Sequence, residues 1–91
     1  MSSRIVFGRH FYATRHKARL LRNAAVMLLV EDEGPLILDF SGVEAVTVAF
    51  ADELVVSLVV DYGPRIVLTG MSNEVAETVR TTLARRSDLG A

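Results

Sequence analysis

The sequence predicts one small α/β domain, with a mostly parallel sheet of three or four strands and about three helices. Short apolar runs alternate with longer amphipathic stretches along the 91 residues, in the order β-α-β-α-β-α. This alternation is typical of parallel strands joined by right-handed helical crossovers. The length is that of a single domain, here residues 1–91. A hydrophobic fraction of 51% supplies a core and leaves apolar residues for a partner surface.

The first half of the chain predicts a strand, a helix and a second strand. The run RIVF at 4–7 is the first strand, which Gly8 ends. Apolar residues at helical spacing predict a helix over 13–30 with Thr14 as its N-cap. Its last part, AAVMLLV, is also compatible with a strand, but Ala, Met and Leu favour a helix. After the turn DEGP, the run LILDF at 36–40 is apolar enough for a strand covered on both faces.

The second half predicts a loop, a helix, a strand and a last helix. Thr47 caps a helix over 48–60, after the loop SGVEAV. Four-residue spacing buries one stripe of this helix, which comprises Phe50, Leu54, Leu58 and Ala51, Val55, Val59. The residues left facing partly outward are Ala49, Asp52, Glu53, Val56 and Val60. The run RIVL at 65–68 is a strand, and a helix over 73–85 begins with Ser72 or Asn73 as its cap. We expect residues 86–91 to form a flexible tail.

The charges are unevenly distributed, although the net charge is only −1. Residues 1–23 contain six Arg or Lys and no acid, whereas residues 24–64 contain eight acids and no Arg or Lys. One hypothesis is nucleic-acid binding through the Arg-rich first helix. The favoured interpretation is a solvated helix face whose arginines pair with acids elsewhere in the fold.

Several classes of protein are excluded by composition. The chain has no cysteine, which excludes disulfides, thiol nucleophiles and Cys-based zinc sites. The longest apolar run, residues 24–30, is much shorter than the ~20 residues that span a bilayer. The N-terminus has no apolar region typical of a signal peptide. We therefore expect a cytoplasmic protein that does not contact a membrane.

No motif for catalysis or for a cofactor is present. Asp52 and Glu53 are adjacent, and adjacent residues of a helix point about 100° apart, so we expect them not to converge on one substrate atom. His10 and His16 are six residues apart and share no helix face for a metal. The sequence lacks a P-loop, a GxGxxG, a GxSxG and a triad. We expect neither an enzyme nor a cofactor.

Two places remain as candidate sites. Asp39 ends a central strand, where ligands of open α/β sheets gather, although it can equally shape the following turn with Ser41. The start of the second helix is a candidate protein-docking surface. Its members are Ala49, Asp52, Glu53 and Val56. Alternatively, Val56 and Val60 are covered by a neighbouring helix or by a second copy of the chain.

The segment LILDFSGVEAVTVAFADELVVSLV resembles STAS domains, and most closely the STAS-like branch with its LDF-SGV-SFADEL signature. Asp39, Ser41, Gly42 and Val43 match the first motif of the family, and residues 47–50 occupy the second. The resemblance implies a STAS-like fold and a regulatory protein-interaction domain similar to bacterial anti-sigma factor antagonists. The partner that it implies is an ATPase-fold anti-sigma factor or kinase.

The second motif departs from that of the antagonists at the decisive position. Their kinase phosphorylates a serine, and Ala49 stands at that position here. Thr47 keeps a hydroxyl nearby, but we expect it to act as an N-cap, so we assign no phosphorylation site. The resemblance therefore predicts a constitutive binder. Nucleic-acid binding and a purely structural homodimer remain the alternatives.

Overall fold

Within residues 2–90, the chain forms five strands and three helices. A computed structural model describes the backbone of residues 2–90 and the side chains of residues 2–86. The strands are β1 (Ser3–Val6), β2 (Phe11–Tyr12), β3 (Leu36–Asp39), β4 (Ala45–Val46) and β5 (Ile66–Thr69). The helices are α1 (Arg15–Glu31), α2 (residues 48–62) and α3 (Asn73–Gly90). The predicted α/β class with mostly parallel sheets is confirmed.

The strands form two parallel sheets, one of three strands and one of two. The larger sheet has the order β1-β3-β5, with Ile5 opposite Leu38 and Leu38 opposite Leu68. The smaller sheet pairs β2 with β4. Neither β2 nor β4 was predicted, because a strand of two residues has no periodicity to recognise. Of this pair, β4 lies directly before α2.

All the helices that pack on the three-stranded sheet lie on one of its faces. Leu36 and Leu38 of β3 are at most 1% exposed, whereas Val6 and Val67 on the opposite face are 63% and 37% exposed. The crossovers from β1 to β3 and from β3 to β5 step in the same direction, so right-handed connections place α1 and α2 on the same face. The expectation that LILDF is covered on both faces is therefore wrong for the described chain.

Side-chain hydrogen bonds begin two helices where they were predicted to begin. The N–H of Lys17 donates to Thr14 Oγ1 over 3.1 Å, and the N–H of Val75 donates to Ser72 Oγ over 3.1 Å. These bonds satisfy backbone donors that the first turn of a helix leaves free. The run AAVMLLV lies inside α1, as its composition favoured.

Arg65 holds the end of α1 against the sheet. Its guanidinium donates to the backbone oxygens of Leu29, Asp32 and Gly34. Carbonyls at a helix C-terminus lack partners within the helix, so a buried end needs such a donor. The sequence offered no signal for this contact, since residues 29 and 65 meet only through the fold.

Helix α2 contains a π-helical turn. Val48–Ala51 and Ser57–Tyr62 are α-helical, and Asp52–Val56 between them is π-helical. This segment contacts both α1 and α3. Leu54, Val55 and Val56 are all 0% exposed, because the wider turn shifts the phase of the helix and its neighbours cover it on two sides. The expectation that Val56 faces outward is wrong, whereas Val60 is 57% exposed.

The last helix extends beyond the predicted boundary. Its backbone continues to Gly90, past the expected end at Arg85. The flexible tail expected over 86–91 stays a prediction, because Ala91 and the side chains of residues 87–90 lie outside the described part of the chain. Among the residues that the structure describes, no helix is long and apolar enough to cross a membrane.

Candidate functional site

The start of α2 is held in place by Thr47. Its hydroxyl donates to the backbone oxygen of Ala13 over 2.6 Å and accepts from the N–H of Phe50 over 3.2 Å. The first bond ties α2 to the segment before α1, and the second caps the helix as the sequence predicted. Because the hydroxyl makes both bonds, the helix start is fixed in position.

Two large apolar side chains are exposed at this end of the molecule. Val48, the first residue of α2, is 42% exposed, and Phe11 of β2 is 55% exposed. Phe11 lies opposite Ala45 in the smaller sheet, three residues before Val48. Ala49, the next residue of α2 after Val48, is half-buried. The sequence analysis missed Phe11 because β2 was not predicted.

Asp52 and Glu53 point to the same neighbour. Arg15 Nη1 lies 3.0 Å from Asp52 Oδ2 and 3.9 Å from Glu53 Oε1. The expected divergence of the two acids is therefore wrong. The π-helical turn has more residues per turn, which reduces the angle between adjacent side chains, and the long arginine reaches both.

Further arginines complete an ion-pair network between α2 and the other helices. Arg19 lies 3.3 Å and Arg22 lies 3.1 Å from carboxylate oxygens of Glu53. Arg86 of α3 lies 3.6 Å from Asp52. We call these four arginines and two acids the arginine network. It carries two positive charges in excess, and it bears out the interpretation that the arginines of the first helix pair with acids elsewhere.

Some residues of the docking surface predicted from the sequence are engaged in the arginine network or buried in the core. The side chain of Glu53 is only 13% exposed, and that of Asp52 is 31% exposed. Val56 is 0% exposed and is unavailable to a partner in this structure. Ala49 and Asp52 remain accessible in part, in the first turns of α2 that begin with Val48.

Asp39 and Ser41 form a tight turn at the carboxyl end of β3. Asp39 Oδ1 accepts from the N–H of Ser41 over 3.0 Å, and Arg4 Nη1 lies 2.8 Å from Asp39 Oδ2. Hydrogen bonds from the side chain and the backbone of Ser41 lower the pKa of Asp39 below its ordinary value of 3.8; burial opposes this, and Arg4 adds to it. These bonds give Asp39 a structural role in shaping the loop.

Gly70 packs against this turn from the end of β5. Its φ is +69°, and a Cβ added there would overlap Ser41 Oγ and lie 2.8 Å from Ser41 N. Only glycine adopts this conformation without strain at such a close approach. The carboxyl end of the sheet is therefore filled by its own turns.

The two histidines are placed differently from one another. Nδ1 of His10 lies 3.1 Å from the backbone oxygen of Gly42, in the loop after β3, and His16 is an exposed residue of α1. Within residues 2–86, no group of three or more potential metal-ligating side chains comes together.

Comparison with known families agrees with this architecture. A model of the STAS-like domain of unknown function matches residues 17–76, from early in α1 to the first turn of α3. The chain belongs to this STAS-like family. The matched segment of the STAS-like domain includes α2, most of the arginine network and the Asp39 turn. Among curated proteins and solved structures, none matches the chain.

Proposed function

We propose that this STAS-like domain is a non-catalytic, cytoplasmic protein-interaction domain of a regulatory pathway, which binds its partner through the start of α2. The contact surface comprises Phe11, Val48, Ala49 and Asp52, and we call it the α2 surface. The observation that carries the proposal is the exposure of Val48 and Phe11 beside a helix start that Thr47 holds rigid. Exposed apolar side chains with a polar rim are typical of protein interfaces.

The charges beside the α2 surface indicate the chemistry of the partner. Arg15 is 50% exposed, and it belongs to a network in which arginines outnumber carboxylates. Excess positive charge favours a partner with an apolar centre and an acidic rim. The family resemblance suggests an ATPase-fold anti-sigma factor or kinase as that partner.

The start of α2 also supports binding that is not regulated by phosphorylation. Ala49 has no hydroxyl, and the hydroxyl of Thr47 is used in two hydrogen bonds. A phosphate on Thr47 would break both bonds. We therefore propose constitutive binding, with regulation through the supply of either protein.

A pair of valine substitutions on α2 tests the surface. Val48→Glu places a charge in the α2 surface, and Val60→Glu makes the same change at an exposed position near the other end of the helix. Wild type and both variants serve as baits in the native host, with captured proteins quantified by mass spectrometry. The purified partner is then titrated by calorimetry. We expect Val48→Glu to weaken binding at least about tenfold, or about 1.4 kcal/mol.

The control decides between a local and a general effect. Val60→Glu should change the affinity less than about twofold, well under 1 kcal/mol. Equal affinity of wild type and Val48→Glu would remove the α2 surface from the interface. Incubation with an ATPase-fold partner and ATP tests separately whether the α2 surface is free of phosphorylation. A stoichiometric mass gain of about 80 Da at Thr47 would contradict constitutive binding.

Nucleic-acid binding through α1 has less support than it had from the sequence. Arg15, Arg19 and Arg22 each lie within 4 Å of a carboxylate of α2. A phosphate backbone would have to compete with these carboxylates.

A further inference from the structure

The outward side of helix α1 carries a stripe of apolar side chains. Leu20, Met27 and Val30 are 52%, 64% and 75% exposed, and Ala24 is exposed between them. At about 100° per residue, these four side chains fall within an arc of about 120° around the helix. We call them the α1 stripe. A surface helix normally has polar residues on this side, and an exposed apolar patch of this kind marks an interaction surface.

Opposite charges stand at the two ends of the α1 stripe. Lys17 precedes the stripe and Glu31 follows it, and both lie on the same flank of the helix as Ala24. Neither charge forms an ion pair with another side chain among residues 2–86. The two residues are about 21 Å apart along the helix, so they cannot pair within one chain. Both charges are therefore available to a partner.

The charges of α1 also oppose its helix dipole. The first turn contains Arg15, His16 and Lys17 and no acid. The last turn contains Glu31 and no base. The dipole favours the reverse order, with anions near the N-terminus and cations near the C-terminus. A neighbouring helix of the same charge order that runs in the opposite direction removes this conflict, because its acidic end lies beside the basic end of α1.

We propose that this neighbour is α1 of a second copy of the chain, packed antiparallel on the α1 stripe in a homodimer. A twofold interface brings one patch against itself, so the patch must be self-complementary. A twofold axis at the middle of the stripe brings Leu20 opposite Met27 of the second copy. The same axis brings Lys17 beside Glu31 of the second copy, and this pair occurs twice in the dimer. One copy thus supplies both the apolar contact and the opposite charges that another copy needs.

The dimer does not depend on the proposed function. No residue of the α1 stripe belongs to the α2 surface, and neither do Lys17 and Glu31. Substitutions in the stripe or at its ends therefore test the dimer and leave the α2 surface unchanged. Failure of one proposal leaves the other intact.

Sedimentation equilibrium between about 10 µM and about 1 mM tests the dimer with the variant Met27→Glu. Val60→Glu is the matched control, since Val60 is a valine of α2 that is 57% exposed and lies outside the stripe. Circular dichroism and thermal unfolding verify that each variant is folded. We expect wild type and Val60→Glu to dimerise alike, and Met27→Glu to dimerise at least about tenfold more weakly, or about 1.4 kcal/mol.

Charge reversal at the two ends of the stripe tests the antiparallel arrangement. Lys17→Glu and Glu31→Lys each place like charges together at both ends of the dimer, so we expect each variant alone to dimerise about fivefold more weakly. Both changes suit the dipole of α1 better than the native residues do, so the monomer should lose no stability. An equimolar mixture of the two variants should dimerise as wild type does, because each copy supplies the charge that the other lacks.

Three outcomes overturn the proposal. A wild type that stays monomeric at about 1 mM leaves the α1 stripe to a different protein. A dimer that survives Met27→Glu is formed by another surface. A mixture of the two charge variants that dimerises no better than either variant alone excludes the antiparallel pairing.

Discussion

At the residue scale, Gly70 shows how one contact between strand ends depends on the absence of a side chain. We expect Gly70→Ala to destabilise the domain by about 2 kcal/mol or more, because Cβ would lie 2.8 Å from the backbone nitrogen of Ser41 in a backbone with φ of +69°. Gly8→Ala is the matched control, since a Cβ there meets nothing within 4 Å. Urea unfolding measures both. Equal stability of the two variants would contradict the packing described for Gly70.

Asp39 makes the stability of the domain depend on pH. Its pKa is lowered in the folded state, so the stability it contributes is fully present above the ordinary value of 3.8 and is lost as the pH falls through the lower folded pKa. We expect Asp39→Asn to be less stable than wild type near neutral pH, with the difference shrinking below about pH 4. Urea midpoints at several pH values measure it. A difference that stays constant with pH would exclude the ionised carboxylate as its source.

Asp39 and Gly70 differ in how far their contacts could be predicted from the sequence. Asp39 and Ser41 are two residues apart, and their turn was predicted from local chemistry. Gly70 could not be paired with Ser41 in advance. The two residues are 29 positions apart in the chain and meet only because β3 and β5 are neighbours in the sheet.

At the element scale, α2 shows where periodicity succeeds and where it fails. Its N-cap and its stripe of Phe50, Leu54 and Leu58 were predicted, and all three are buried. The π-helical turn was not predicted, because backbone hydrogen bonding leaves no mark on the spacing of apolar residues. That turn, and the neighbours on both sides, buried Val56 and brought Asp52 and Glu53 to one arginine.

The arginine network holds α1 and α2 together through Glu53. We expect Glu53→Gln to destabilise the domain by about 2 kcal/mol, because the mostly buried carboxylate contacts three arginines that would lose their partner. Reversing this charge would therefore disturb the fold as well as any interface. Chemical denaturation measures the loss.

Glu77→Gln provides the comparison for Glu53. Glu77 pairs with Arg80 at 2.8 Å, but the two side chains are 66% and 70% exposed. Exposed pairs contribute little, so we expect a change within about 0.5 kcal/mol. If the two glutamate variants lost equal stability, the network would be no more than a set of surface ion pairs.

At the scale of the whole molecule, the order of strands decides which surfaces exist. Strand order β1-β3-β5 places α1 and α2 on one face, where they build the core, the arginine network and the α2 surface. The same order leaves the opposite face open. The alternation of strands and helices predicted parallel pairing, but the order β3-β1-β5 would have placed the helices on opposite faces from the same alternation.

Local chemistry was enough to establish the class, the main elements, the caps at Thr14 and Thr47, and the missing hydroxyl at Ala49. These features depend on residues that are close in the chain, so a short window contains all the information. The burial of Val56, the convergence of Asp52 and Glu53 on Arg15, and the uncovered face of the larger sheet depend on elements that are far apart in the chain. Packing and strand order settle such contacts, because the free energy of burial belongs to pairs of surfaces and not to any single segment.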